Sequence, residues 1–500
     1  MSRSPPATPW LPYGPSRAGA SRLLFCLPYA GGAASAYREW VSLAGPDWDV
    51  RPVQLPGRET RIADPPSVDV GELATAIANH VDRPYAIFGH SMGGRLGFEL
   101  IRELRRRKVP MPQLFFVSGV RPPEMEIVTR ISHLPDDEFC ARVVAMGGTQ
   151  PEALAEPELR ELVLPALRAD FTAVESYAYA DEPPLPVPIV GFAGADDPEA
   201  SPEDMIGWAA HTGRRFTLHT LPGSHFFLHS ARPAVQALID AEAAAVGGPP
   251  PYTPIAADEV VVIDVRLDEW PDLGAALAEL SPTEAGRAAA IRRPDHATRH
   301  LARCAALRRV LEAYGADVGV TEFTRGPRGK PQLPAAGLRF NAAHSDGIAL
   351  IALSTAHDIG IDVERRTPMR DLQAFLDGAL DPAETRELAE LDPERQLEAA
   401  LAVWTAKEAV LKATGDGLGV EPAAFGYAGQ LGATVWRPRA DPGLERLRGW
   451  AVRHLRVPGA LAAVATREAT LRLRYHRLLA GDLTTARLDA DPHDCDSLTS

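Results

Sequence analysis

YAIFGHSMGGRLGFELIRELRRRK spans residues 85–108 and changes texture at Ser91. Tyr85 to His90 is a short apolar run that reads as a buried strand. Ser91 to Lys108 has helical spacing, and its basic end, Arg105-Arg106-Arg107-Lys108, suits a solvated C-terminal turn favoured by the helix dipole. Outward from this pair the texture repeats. RLLFCLP (22–28), LFFVSG (114–119), PIVGFAG (188–194) and FTLHTL (216–221) read as strands, with helical patterns between them. Such alternation predicts a parallel sheet covered on both faces. Residues 124–180 break the rhythm with helical sequence, which predicts a lid inserted over the carboxyl edge of the sheet, where α/β folds place ligands.

GGPPPYTPIAAD, residues 247–258, holds two Gly and four Pro and reads as a linker. Beyond it the pattern is mixed α+β. Residues 281–316 and LAVWTAKEAVLKATG (401–415) look helical. GIALIALS (347–354), DIGIDVE (358–364), WAVRHLRV and GALAAVAT (within 450–466) look like strands. The expected layout is a free N-terminus at 1–20, an α/β domain at 21–246, the linker, an α+β domain at 259–480 and a disordered acidic tail at 481–500.

Composition narrows the classes. The 500 residues are 45% apolar and 24% charged, as in ordinary globular proteins. With 52 Lys plus Arg against 66 Asp plus Glu, the net charge of −14 argues against a general nucleic-acid binder. No apolar run reaches the length of a membrane span, mean hydropathy is −0.12, and the first twenty residues lack the apolar core of a secretion signal. Cys26, Cys140, Cys304 and Cys495 are scattered and fit a reducing compartment. A cytoplasmic protein with no membrane partner is expected.

Gly89-His90-Ser91-Met92-Gly93 has the G-x-S-x-G form between a predicted strand and helix, where a sharp turn exposes the serine hydroxyl. Asp197 and His225 follow later strands, so the order is Ser, Asp, His, that of the α/β hydrolases. Asp196 is adjacent, but Asp197, three residues after Gly194, is the favoured partner. His225 would take the Ser91 proton while Asp197 holds the imidazole tautomer. Oxyanion donors are expected from the amides of Met92 and Ala30, the latter in the glycine-bearing loop Pro28–Gly32.

Leu27-Pro28-Tyr29-Ala30-Gly31-Gly32, Trp40, Leu55-Pro56-Gly57-Arg58, the Ser91 motif, His133 to Phe139 and Pro222 to Phe227 together resemble the stand-alone type II thioesterases of polyketide and nonribosomal peptide assembly lines. The resemblance spans about residues 20–242. It implies hydrolysis of acyl thioesters from the phosphopantetheine arm of carrier proteins, in the setting of antibiotic biosynthesis.

In Gly360-Ile361-Asp362-Val363-Glu364, two carboxylates share one face of a strand and repel unless a cation joins them. Glu408 and Lys412 share a helix face at i and i+4. Three carboxylates with an open side suit Mg²⁺, although, taken separately, an exposed strand edge for Asp362 and Glu364 and an intrahelical ion pair for Glu408 and Lys412 are the readings the residues alone favour. With Gly329-Lys330-Pro331 and Phe340 to Ser345, these segments resemble the surfactin-synthetase-activating type of 4′-phosphopantetheinyl transferase over roughly 258–470. That resemblance implies two pseudo-symmetric α+β halves with CoA as co-substrate, and Mg²⁺ on Asp362, Glu364 and Glu408. It also implies a WxxKE motif at Trp404, Lys407 and Glu408, with Glu408 as base and Lys412 on the leaving phosphate. CoA phosphates would fall to Lys330, Arg308 and His344. The family usually has Ser before the motif histidine; Ala343 here removes one hydroxyl, worth about 0.5–1.5 kcal/mol as a hydrogen bond.

Arginines 287, 292, 293, 299, 303, 308 and 309, against one acid, Asp295, read either as a solvated helical face or as a surface for CoA or an acidic carrier. Both resemblances imply one shared partner, the carrier protein. The twelve linker residues reach at most about 37 Å as polyproline helix, enough to share a local concentration. The rivals are a thioesterase fused to an inactive, carrier-docking transferase fold, and a small-ester hydrolase.

Overall fold

The computed structural model describes residues 8–479 and 482, apart from 14–16, 18, 44, 149–150, 249, 271–272, 327–328, 334–336, 368–374, 376–377 and 416–418. The expected tail at 481–500, Asp482 excepted, and the first seven residues lie outside the described residues. The chain divides into two compact units, Met1–Val246 and Gly247–Ser500.

The first unit is built on six strands: β1 (Arg22–Leu27), β2 (Trp48–Pro52), β3 (Tyr85–His90), β4 (Leu114–Ser118), β5 (Ile189–Gly194) and β6 (Phe216–Leu221). They lie in the order β6-β5-β4-β3-β1-β2, and every pairing is parallel. β3 to β6 are buried along their whole length, as their continuous apolar sequence requires of strands covered on both faces. The helices between them pack an apolar core that includes Leu24, Phe88, Phe116, Phe192 and Ile239. The interruption at 124–180 is helical: Asp136–Met146, Pro151–Ala155 and Pro157–Glu175. It closes around a small core of its own from Ile131, Phe139, Cys140, Val143, Leu154 and Leu167.

The second unit holds two α+β halves. In one, strands run in the order Arg339–Ser345, Ile348–Ser354, Glu259–Arg266, Arg472–Leu478. Helix Pro294–Ala313 shares their apolar core. In the other, Ile359–Arg365, Ala460–Thr466 and Ala451–Leu455 form an antiparallel sheet, and helix Pro393–Thr414 shares its core. Gly360 lets strand and helix meet: a Cβ there would stand 1.9 Å from the Ala409 carbonyl oxygen and 2.5 Å from the Ala413 nitrogen. This contact sets Asp362 and Glu364 against the helix that carries Glu408 and Lys412. Among the described residues no helix is long and apolar enough to cross a membrane.

Candidate functional sites

Ser91 stands where β3 ends and helix Met92–Arg106 begins, at φ +51° and ψ −119°. A non-glycine residue held there carries strain of order 1–3 kcal/mol, which surrounding structure must sustain. Its amide donates to the Ser118 carbonyl at 2.8 Å. Behind it the helix presses on the end of β1 and the start of the following loop, because a Cβ on Gly93 would lie 2.3 Å from the Leu27 carbonyl oxygen and 2.7 Å from that of Pro28.

The three residues expected to act together are together. His225 Nδ1 lies 2.9 Å from Asp197 Oδ2, and His225 Nε2 lies 3.1 Å from Ser91 Oγ. With the proton on Nδ1, the free Nε2 lone pair accepts the Ser91 hydroxyl. Asp197 is buried, and its second oxygen accepts the amides of Glu199 and Ala200, so the carboxylate cannot swing away. Ala30 and Met92 line the same cavity as Ser91 and His225, with apolar Val128, Val143, Phe171 and Phe226; its space is about 850 Å³, open mouth included. His90 packs beneath, its ring centre 5.0 Å from that of His225, and its Nδ1 meets Ser118 Oγ at 2.9 Å. Burial, followed by the nearby His225 and His229, holds its pKa well below 6.5, so this histidine stays neutral beside His225.

Asp170, which the sequence reading passed over, joins the lid to this site. From helix Pro157–Glu175 it accepts two hydrogen bonds from the Arg58 guanidinium, at 2.6 and 2.8 Å, and one from the Gly31 amide at 2.8 Å. Arg58 also donates to the Gly32 carbonyl. The loop that presents Ala30 is therefore braced by a carboxylate of the lid. Arg58 was legible in Leu-Pro-Gly-Arg; a lone Asp in an amphipathic helix carried no signal.

In the second unit, Lys412 Nζ donates to Asp362 Oδ1 at 2.5 Å, while the buried Asp362 Oδ2 has no partner. Glu364 accepts Ser345 Oγ at 2.9 Å and Trp404 Nε1 at 3.3 Å. Burial, with the charges of Glu364 and Glu408, pushes Asp362 up to about 7 despite Lys412. Glu408 is also raised, by burial and then by Glu364. Among the described residues no three carboxylate, His or Cys side chains stand close enough to hold a metal ion as they are. The donor chemistry still fits a hard cation: an orphaned buried oxygen on Asp362, and neighbouring carboxylates that add to the burial raising Asp362 and Glu408, mark an excess of negative charge that one ammonium does not cancel.

The expected CoA ligands fare unequally. His344 lies on the same strand as Ser345 with part of its surface open to solvent; partial desolvation, followed by the charges of Arg303 and Lys412, lowers its pKa, so three basic groups face a common region. Lys330 Nζ donates to the Ile359 and Ala413 carbonyls at 2.9 and 3.2 Å, leaving one of its three donors. Arg308 needs correction. It is 1% exposed, and its guanidinium meets Glu284 and the carbonyls of Gly319 and Thr321, so it braces helix Pro294–Ala313 and offers no phosphate a face. The arginine-rich stretch is also less basic than it reads, since Arg293, Arg299 and Arg309 pair with Asp295, Asp268 and Glu279. Lys407 of the WxxKE motif is fully buried on Glu384 Oε2 and the carbonyls of Ala379 and Pro422 and serves as an anchor of its helix.

Family comparison agrees with this division. Residues 22–242 match the thioesterase domain family, and residues 358–429 match the 4′-phosphopantetheinyl transferase superfamily. The chain is 41% identical over 239 residues to linear gramicidin dehydrogenase LgrE of Brevibacillus parabrevis, covering 46% of this chain and 91% of that one. It is 35% identical over 228 residues to gramicidin S biosynthesis protein GrsT of Aneurinibacillus migulanus, covering 45% and 89%. Among solved structures, the type II thioesterase BorB from the borrelidin cluster is 35% identical, covering 47% of this chain and 97% of that one, with a TM-score of 0.43. The chain belongs to the thioesterase family, to which it adds a domain of the 4′-phosphopantetheinyl transferase superfamily.

Proposed function

We propose that the chain is a bifunctional carrier-protein enzyme of polyketide or nonribosomal peptide biosynthesis. One unit hydrolyses unwanted acyl thioesters from the phosphopantetheine arm; the other transfers that arm from CoA to a carrier serine. The observation that carries the first activity is the unbroken chain Asp197–His225–Ser91 at 2.9 and 3.1 Å on the wall of a lidded cavity. His225 takes the Ser91 proton as Oγ attacks the thioester carbonyl. The amides of Met92 and Ala30 receive the oxyanion, and the arm leaves as a thiol with the proton from His225. Water, activated by the same imidazole, then releases the acid and restores Ser91.

For the second activity, Mg²⁺ bound by Asp362, Glu364 and Glu408 would supply charge neutralisation at the pyrophosphate. Glu408, a carboxylate made more basic by burial and by the neighbouring Glu364, is suited to take the proton of the carrier serine. Lys412, His344 and Arg303 would hold the phosphate that departs. Both substrates share the carrier, so the linked units raise the local concentration of each activity for the other.

Intact-carrier mass spectrometry tests both. Apo carrier with CoA and Mg²⁺ should gain the arm, and Glu408→Ala should abolish the gain. Acyl-carrier should lose its acyl group, and Ser91→Ala should abolish the loss. Carrier that binds but stays unmodified would favour the docking reading, and turnover of small esters alone would favour the general hydrolase.

A further inference from the structure

One residue of the first cavity has no part in the proposed hydrolysis. Arg95 lies one helical turn after Ser91, its amide donating to the Ser91 carbonyl, and its side chain is 6% exposed. It lines the Ser91 cavity, and with Met92 and Val174 it also lines a second, apolar cavity between helix Met92–Arg106 and the lid helix Pro157–Glu175. Among the described residues its guanidinium makes no hydrogen bond and no ion pair. It rests 4.7 Å from the centre of the Tyr177 ring. The nearest acids are committed elsewhere: Glu124 to His211 at 2.6 Å, and Glu99 to Arg102 and to the Tyr177 hydroxyl.

A buried cation without an anion is costly, and removal from water depresses its pKa. Every other buried arginine described above has carboxylate or carbonyl partners. Arg95 instead lines a mainly apolar chamber about one turn from the hydroxyl expected to carry the acyl group, and the other charged groups of its wall have partners: Arg121 donates to Asp204, Glu175 accepts from Ser132 and Glu199 from Thr129.

We propose that Arg95 is a specificity residue that binds an acyl-borne carboxylate, so that the thioesterase unit clears short dicarboxylic acyl groups, of the malonyl or succinyl kind, from the carrier arm. This rests on the thioesterase reading above. The chemistry is unchanged: the thioester C–S bond is exchanged for a C–O bond to Ser91 as the carrier thiol leaves with the His225 proton, then water cleaves the Ser91 ester to the free dicarboxylate and restores the hydroxyl. Arg95 adds a bidentate, charge-assisted contact in a low-dielectric chamber, where such contacts are strongest. An alternative anion is the phosphodiester of the arm itself.

The test compares malonyl- and butyryl-carrier, and the same acyl groups on N-acetylcysteamine, which lacks phosphate, for the full chain and for Arg95→Met and Arg95→Lys. The wild type should favour the malonyl carrier. Arg95→Met should lower its kcat/KM by about 30-fold or more while leaving the butyryl carrier within about twofold, and Arg95→Lys should fall between. The same malonyl deficit should appear with the cysteamine thioesters. A deficit shared by both carriers and absent with cysteamine thioesters would assign Arg95 to the phosphodiester and overturn the proposal. Equal loss on every substrate, or a wild type that prefers butyryl throughout, would overturn it as well while leaving the thioesterase reading in place. If the wild type cleaves neither carrier, it is the thioesterase reading that fails.

Discussion

Replacing Gly360 by Ala probes whether the close approach of strand Ile359–Arg365 to helix Pro393–Thr414 sets the transferase site. The added methyl would start 1.9 Å from the Ala409 carbonyl oxygen, 2.5 Å from the Ala413 nitrogen and 2.8 Å from the Ala413 Cβ. Real Cβ contacts almost never fall below 3.0 Å, so the gap must open by about 1 Å. The obstacle is helix backbone, which cannot rotate aside as a side chain would. Overpacking of this sort costs about 1–3 kcal/mol, or roughly 2–12 °C in the Tm of a unit this size. The chemical effect should be larger. Asp362 is two residues from Gly360, and Glu408 and Lys412 flank Ala409 on the opposed helix. A displacement near 1 Å between groups that act jointly lowers turnover by up to about 100-fold. Mass spectrometry of apo carrier incubated with CoA and Mg²⁺ reads the transfer rate. Ester hydrolysis in the same sample reports on the other unit and should not move. A Gly360→Ala protein that melts within a degree of wild type and transfers at the wild-type rate would refute the reasoning.

Asp170→Ala leaves the Arg58 guanidinium buried without its carboxylate, which costs about 3–5 kcal/mol, and frees the Gly31 amide; differential scanning calorimetry should show the loss, and thioester kcat should fall with Ser91 and His225 intact. His90, whose folded pKa lies below its unfolded value, contributes stability that is present above about pH 6.5 and lost as pH falls. Urea melts of His90→Phe between pH 6.5 and 5 should lose up to about 1.4 kcal/mol per pH unit less than wild type. Arg308→Met should lower the stability of the second unit by about 3 kcal/mol, since Glu284 and two carbonyls lose their donor, while the KM for CoA in the folded enzyme stays within about twofold. A tenfold rise in that KM would restore Arg308 to the CoA site.

Much of the fold could be read because its buried strands are apolar throughout, as at Ile189–Gly194, and its long helices are periodic. The strand Trp48–Pro52 escaped because Asp49 and Arg51 make it look solvated. Both are buried, and they neutralise one another at 2.7 Å. The meeting of Ser91, Asp197 and His225 could be expected because each sits at a fixed place after a strand. That of Asp170 could not, since its partners lie 112 and 139 residues away and nothing local marks it. Arg308 shows the converse failure. A cation in the right region of sequence suggested a phosphate, and only burial and three protein acceptors disclose a brace. The sequence sets Asp362 and Glu364 on a strand and Glu408 on a helix, as observed, but its spacing does not reveal that the two elements face each other or that Lys412 holds one oxygen of Asp362.

The Asp170 carboxylate fastens the roof of the chamber and steadies the floor beneath it in one stroke. On the hydrolase reading proposed above, a roof that lifted to admit a tethered guest would part Asp170 from Arg58 and the Gly31 amide, and so slacken the turn that would cradle the reacting carbonyl. Entry and cleavage would then alternate, and a guest would be cut only once the latch had fallen.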